Sequence, residues 1–166
     1  MKTLTNTGLN LIEYRGSALK AISTLTNLNK IDQIYGLSYA ADNVTFAGYI
    51  SWLYFFFSSG QNMFNDLQAL KTGDGYIISN APGVVPPYDI YSDTETFPAT
   101  RLITRQAEIA EYRGFSTLNI GSASFVTQLE DVLTVDSSGS WLTWNRGFWS
   151  DPSLNFLIAS NSFLCA

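Results

Sequence analysis

The chain has 166 residues, of which 14% are charged, and carries a formal net charge of −5. Its nine basic residues are scattered, with no run of three, which excludes the clustered Lys and Arg that phosphate binding needs. There is no histidine and one cysteine, so zinc sites and serine-protease-type triads lack their parts and no intrachain disulfide can form.

From Gly8, the run Leu9-Asn10-Leu11-Ile12-Glu13-Tyr14 is apolar and β-compatible, and Arg15-Gly16 closes it with a turn. Ser17 can then cap a helix whose apolar positions are Ala18, Ile22, Leu25 and Leu28. A strand at Ile31–Tyr35, an irregular stretch around Ala40–Asn43 and a strong strand from Tyr49 to Phe57 follow. Thr72-Gly73-Asp74-Gly75 forms a turn in which both glycines suit positive φ, leading into a strand at Tyr76–Ile78. Four of the five prolines, Pro82, Pro86, Pro87 and Pro98, then fall in an arm without regular helix. Its apolar residues Val84, Val85, Tyr88, Ile90, Tyr91 and Phe97 exceed what a solvated linker needs. They are expected to be buried on another subunit or on a seam between modules.

Beyond the arm the pattern begins again. A helix capped at Ser122 or Ser124 is expected to carry Val126, Leu129 and Val132, then a strand at Val135 and the turn Ser137-Ser138-Gly139 lead to Trp141-Leu142-Thr143-Trp144. Ser160-Asn161-Ser162 forms the last turn, before Phe163-Leu164. Glu13-Tyr14-Arg15-Gly16 recurs 98 residues on as Glu111-Tyr112-Arg113-Gly114. Ser51-Trp52-Leu53 recurs 89 on as Ser140-Trp141-Leu142, and Leu70–Ser79 aligns with Leu157–Ala166, 87 on. Three matches in one order read as two diverged copies of one strand–helix–strands module, residues 1–80 and 105–166, joined by a Pro-rich linker at 81–104. The fold class expected is α+β and β-rich, with the two tandem modules packed together. Trp52 should lie over Trp141, both as buried anchors, and Tyr76 over Phe163.

The opening Gly8-Leu9-Asn10-Leu11-Ile12 and the closing Leu70, Gly73, Gly75 and Tyr76 resemble a "GxNLI…LxxGxGY" module common in large bacterial surface proteins and in virion proteins of tailed phages. The likeness covers residues 8–79 and extends weakly to 106–166, where both glycines of the closing motif are replaced. The resemblance implies a non-catalytic building block of adhesive or particle-forming proteins.

Chemistry finds little to work with. Glu13 and Glu111 are equivalent acids of the kind a glycosidase pairs, but each stands beside Arg in a Glu-x-Arg pattern that reads as an ion pair at a strand end. Asp74, Asp89 and Asp93 lack the dense ligand spacing of a calcium loop. Cys165 has no His partner and reads as structural. No catalytic, cofactor-binding or metal residue is assigned, and no cofactor is expected. The candidate interface consists of Phe55, Phe57, Val85, Tyr88, Tyr91, Trp144, Phe148 and Trp149, aromatic or apolar side chains without an evident intrachain cover. The residues after Met1 lack the apolar stretch of a signal peptide, and the apolar run Trp52–Phe57 is far short of the roughly 20 residues that span a bilayer. These readings lead to a non-enzymatic virion protein assembled in the host cytoplasm, a head decoration or cement subunit. Its expected partners are other virion proteins or copies of itself, with no nucleic acid and no membrane insertion. The alternative is a tail-fibre or baseplate module that binds a host glycan or receptor.

Overall fold

The computed structural model describes residues 1–114, 117–120, 128–146, 154, 156–157 and 162–166. The first half forms β1 (Lys2–Leu4), β2 (Leu9–Glu13), β3 (Lys20–Ala21), β4 (Ile31–Tyr39), β5 (Phe46–Leu53), the short helix α1 (Tyr54–Ser58), β6 (Ala69–Leu70), β7 (Gly75–Asn80) and β8 (Tyr88–Tyr91). The second half forms β9 (Glu108–Glu111), β10 (Leu118–Asn119), β11 (Asp131–Val135), β12 (Trp141–Asn145), β13 (Phe156–Leu157) and β14 (Ser162–Cys165). The architecture is β-rich, and every strand pairing among these elements is antiparallel.

The helix expected after Ser17 does not form. Ile22, Leu25 and Leu28 recur every third residue, a spacing that stacks on a 3-10 turn and drifts around an α-helix. The segment accordingly makes two 3-10 turns, Ile22–Thr24 and Leu28–Lys30, separated by Asn27 at φ 56°. Its backbone finds partners elsewhere, with Ile22 N–H donating to Gln68 C=O (3.0 Å) and Thr26 N–H to Ile90 C=O (2.7 Å). In the second half, Ser122, Ser124 and Val126 lie outside the described residues, and Val132 belongs to β11 rather than to a helix. The strand expected from Tyr49 to Phe57 stops at Leu53. Tyr54–Ser58 turns into helix, which places Tyr54 and Phe57 three residues apart on one side, against Trp52.

Two four-stranded sheets share one strand order: β2-β7-β4-β5 and β9-β14-β11-β12. Their registers agree residue by residue. Glu13 faces Gly75 and Glu111 faces Ser162; Ile12 faces Tyr76 and Ala110 faces Phe163; Ile34 faces Ile78 and Val132 faces Cys165. The two-stranded pairs β3-β6 and β10-β13 repeat the same offsets, with Lys20 opposite Leu70 and Leu118 opposite Leu157. The expected match of Trp52 with Trp141 is shifted by three residues. Trp52 faces Ile34 and Trp144 faces Val132, so Trp144 is its counterpart, while Trp141 corresponds to Tyr49. Burial agrees: Trp52 is 1% exposed, Trp144 packs half-buried on its core, and Trp141 is 40% exposed.

Each sheet has two apolar faces. The outer face of the first carries Ile12, Tyr14, Ile34, Trp52, Tyr76 and Ile78 under the 3-10 turns and the arm. The second carries Ala110, Val132, Phe163 and Cys165 with Ile120, Leu129 and Leu154. The inner faces meet in a separate layer of Leu11, Ile77, Ile109 and Val135, flanked by Leu9, Tyr35, Leu37 and Leu164. Leu11 and Ile109, Ile77 and Leu164, and Leu37 and Val135 occupy equivalent positions, so both sheets present the same positions to the seam. Gly75 permits the close approach, because a Cβ there would fall 2.2 Å from Ile109 Cβ and 2.5 Å from its carbonyl oxygen. The repeated Tyr-x-Gly has a steric reason too. A Cβ on Gly16 would meet the Tyr14 hydroxyl at 2.2 Å, and one on Gly114 the Tyr112 hydroxyl at 1.9 Å.

Candidate functional site

The equivalent acids Glu13 and Glu111 lie at the seam, and both are engaged. Glu13, 1% exposed, accepts from Arg101 Nε (2.7 Å) and from the Glu111 N–H (3.3 Å). Arg101 also reaches Glu108 at 3.2 Å, so one linker residue ties β2 to β9. Glu111 pairs with Lys2 (3.5 Å) and Arg113 (3.1 Å), and Lys2 holds Glu95 of the arm at 3.3 Å. Burial raises the Glu111 carboxyl above its ordinary value despite the cations beside it. Asp74 pairs with Arg105 (2.9 Å), Asp89 accepts from Thr3 (2.6 Å) and Asp93 from Lys20 (2.8 Å), three separate attachments. No group of three metal-ligating side chains occurs among the described residues. Burial pushes the Cys165 thiol up to about 12, leaving it without thiolate character at neutral pH.

Two clefts open at equivalent places in the two sheets. The larger, about 680 Å³, is walled by Lys2, Asn10, Glu111, Val135, Leu142 and Leu154. The smaller, about 220 Å³, is walled by Leu37, Ile50, Leu67, Lys71 and Asp74. Leu37 matches Val135, Ile50 matches Leu142 and Leu67 matches Leu154. The charged groups Lys2 and Glu111 of the larger cleft already bind each other.

The candidate interface residues divide. Tyr88 and Tyr91 are 5% and 2% exposed, inside the first core. The arm that carries them lies on its own module: β8 pairs with β1, and the Tyr88 hydroxyl donates to Asn80 Oδ1 at 2.6 Å. Phe57 packs on Trp52 with ring centroids 5.7 Å apart, and Trp144 packs on the second core. Phe148 and Trp149 lie outside the described residues. Phe55 and Val85 are exposed, at 68% and 80%.

Phe55 does not stand alone. It touches Phe56 (5.8 Å between centroids), and Phe56 touches Phe64 (5.8 Å) from the 3-10 turn Asn62–Phe64. Met63 and Phe64 are 78% and 61% exposed. The result is an apolar knob on the loop between β5 and β6. Charge patterning marks the same place, since residues 43–65 contain no Asp, Glu, Lys or Arg. The sequence reading found Phe55 but missed Met63 and Phe64, for which that uncharged run was the available signal. A second pair also escaped it: Tyr49 and Trp141, equivalent in the two sheets, are both exposed.

No known protein family, curated protein or solved structure matches the chain. No helix among the described residues is long and apolar enough to cross a membrane.

Proposed function

We propose that this chain is a non-enzymatic structural protein made of two diverged copies of one module, which takes its place in a larger particle through apolar contacts. The observation that carries this reading is the exposed knob of Phe55, Met63 and Phe64 on a chain of low charge. Apolar surface of this kind in a rigid scaffold marks an interaction site. The engaged state of Glu13 and Glu111 favours a role in holding the modules together over acid–base chemistry. The resemblance of the Gly8–Ile12 and Leu70–Tyr76 motifs points to a virion component, such as a head decoration or cement subunit, assembled in the host cytoplasm. Mass spectrometry and electron microscopy of particles purified from the encoding system test it. The chain should be found in many copies per particle at a fixed surface position, and its absence from particles while present in the lysate would overturn the reading.

One observation favours a second reading, the tail-fibre or baseplate module that binds a host glycan. Tyr49 and Trp141 present an exposed ring at the same position of each edge strand, and such rings stack on sugar faces. Saturable glycan binding lost in a Tyr49→Ala/Trp141→Ala double variant would establish it, and no binding across a broad glycan array would remove it.

A further inference from the structure

We propose that the knob formed by α1 and the following 3-10 turn is a self-association surface that joins two copies of this chain about a twofold axis. The inference deepens the assembly reading and rests on it. The knob is built for exposure: Phe57 and Tyr54 pack inward on Trp52, while Phe55, Met63 and Phe64 point away, at 68%, 78% and 61% exposed. Polar contacts hold the loop in shape without those side chains. Asn65 Oδ1 accepts from the Leu53 N–H (2.8 Å), Asn65 Nδ2 donates to Asn62 Oδ1 (2.9 Å), and Gln68 Nε2 donates to Asn62 C=O (2.8 Å). A loop pinned in this way meets a partner with little ordering cost.

Charge decides the partner. A twofold contact places a patch against itself, so any net charge there would face its own copy and repel it. The run 43–65, which holds every residue of the knob, contains no charged side chain, and the exposed Asp66 follows it at the edge. An oppositely charged partner would have no charge to meet, and an anionic membrane would find no Lys or Arg between Lys30 and Lys71. The uncharged run has no equivalent in the second half of the sequence. The two sheets align with an offset of 92 at β5/β12 and 87 at β7/β14, so the equivalent connection is five residues shorter in the second half. That connection, residues 146–155, contains Arg146 and Asp151. A twofold contact through this patch closes at a dimer and does not propagate.

The area sets the strength. With about 200 Å² for each side chain, these exposures leave on the order of 400 Å² of apolar surface per copy. A standard interface buries roughly 800 Å² per partner, so the pair is weak and forms at micromolar concentration unless a particle holds copies side by side.

Sedimentation velocity of the full chain from about 1 to 200 µM, a span chosen for a small interface, tests the proposal. The wild type should shift from monomer toward dimer. Phe55→Ser/Met63→Ser/Phe64→Ser should stay monomeric at every concentration, with an unchanged near-ultraviolet circular dichroism spectrum. A second variant, Gln61→Arg, keeps the apolar side chains and adds a charge beside the axis; it should also abolish the dimer. A wild type that remains monomeric, or a dimer that survives both variants, overturns the proposal. Flotation of a monomeric wild type with phosphatidylcholine vesicles, lost in the triple variant, overturns it in favour of a lipid surface. If the chain is found in particles yet is monomeric, the assembly reading stands and this surface assignment falls. If it dimerises through the knob but is absent from particles, the reverse holds.

Discussion

Replacing Gly75 by Ala tests the seam between the two sheets. The new Cβ would lie 2.2 Å from Ile109 Cβ, 2.4 Å from Ile109 Cγ2 and 2.5 Å from the Ile109 carbonyl oxygen. Two of those three atoms have no rotamer freedom, since Cβ and the carbonyl are fixed to β9. Relief requires the strands to separate by about 1 Å, and a gap of that size forfeits up to half of the dispersion energy between the surfaces involved. The surfaces are Leu11, Ile77, Ile109 and Val135 with their flanking side chains. Overpacking of a rigid core costs about 1–3 kcal/mol, and the immobile neighbours place this case near the top, about 3 kcal/mol. For a chain of this size that corresponds to a fall in Tm of about 6–12 °C. Urea unfolding followed by tryptophan fluorescence measures it. A loss below about 0.5 kcal/mol, the range of an indifferent surface change, would refute the close approach of β7 and β9.

The tryptophans should separate by burial: Trp52→Ala should cost about 3–5 kcal/mol in the same urea assay, Trp144→Ala less, and Trp141→Ala under about 1 kcal/mol. Equal losses at Trp52 and Trp141 would restore the rejected alignment. Arg101→Gln leaves Glu13 and Glu108 buried without their shared cation and should cost about 3 kcal/mol, the lower end for a broken buried pair; a neutral result would mean that Arg101 does not clasp the modules. Asp42, Asp93 and Asp136 have carboxyls held below their ordinary value by hydrogen bonds from Thr45, Lys20 and Ser138, respectively. Their stabilisation is present above the unfolded value of 3.8 and is lost as pH falls through the folded values. Glu111 works in the opposite sense, because its raised folded value makes its contribution to stability decline as pH rises from about its unfolded value of 4.5. Urea midpoints measured against pH should therefore decline less between pH 4.5 and neutrality in Glu111→Gln than in the wild type, and parallel curves would count against the assigned burial.

The twofold repetition was legible because the residues that carry it are constrained on more than one side. Glu13-Tyr14-Arg15-Gly16 keeps its spelling since the Tyr ring lies over the Gly and the Glu sits at the seam, and both demands recur in the second half. The tripeptide around Trp52 misled, because register in a sheet is set by the ladder and not by local spelling. The β4–β5 hairpin is six residues longer than its counterpart, which takes the offset from 98 to 92, three more than the 89 that pairs Trp52 with Trp141. The helix after Ser17 was misread because a spacing of three suits both an α-helix and 3-10 turns, and the backbone partners Gln68 and Ile90 lie far away in the chain. Phe55–Phe57 was read with the period of a strand, whereas a five-residue helix sends Phe57 inward and Phe55 outward. Of the arm's apolar residues Val85 is 80% exposed, against expectation, and for the buried ones composition does not say which core an apolar segment covers. Tyr88, Ile90 and Tyr91 cover their own.

Hydrogen exchange measured at two protein concentrations tests assembly through the knob most directly. The amides of residues 54–64 should exchange more slowly at about 100 µM than at about 1 µM, concentrations that bracket a weak interface. The seam strands β2, β7 and β9 should show the same protection at both. Exchange across 54–64 that does not change with concentration, or a change confined to another surface, would contradict the account.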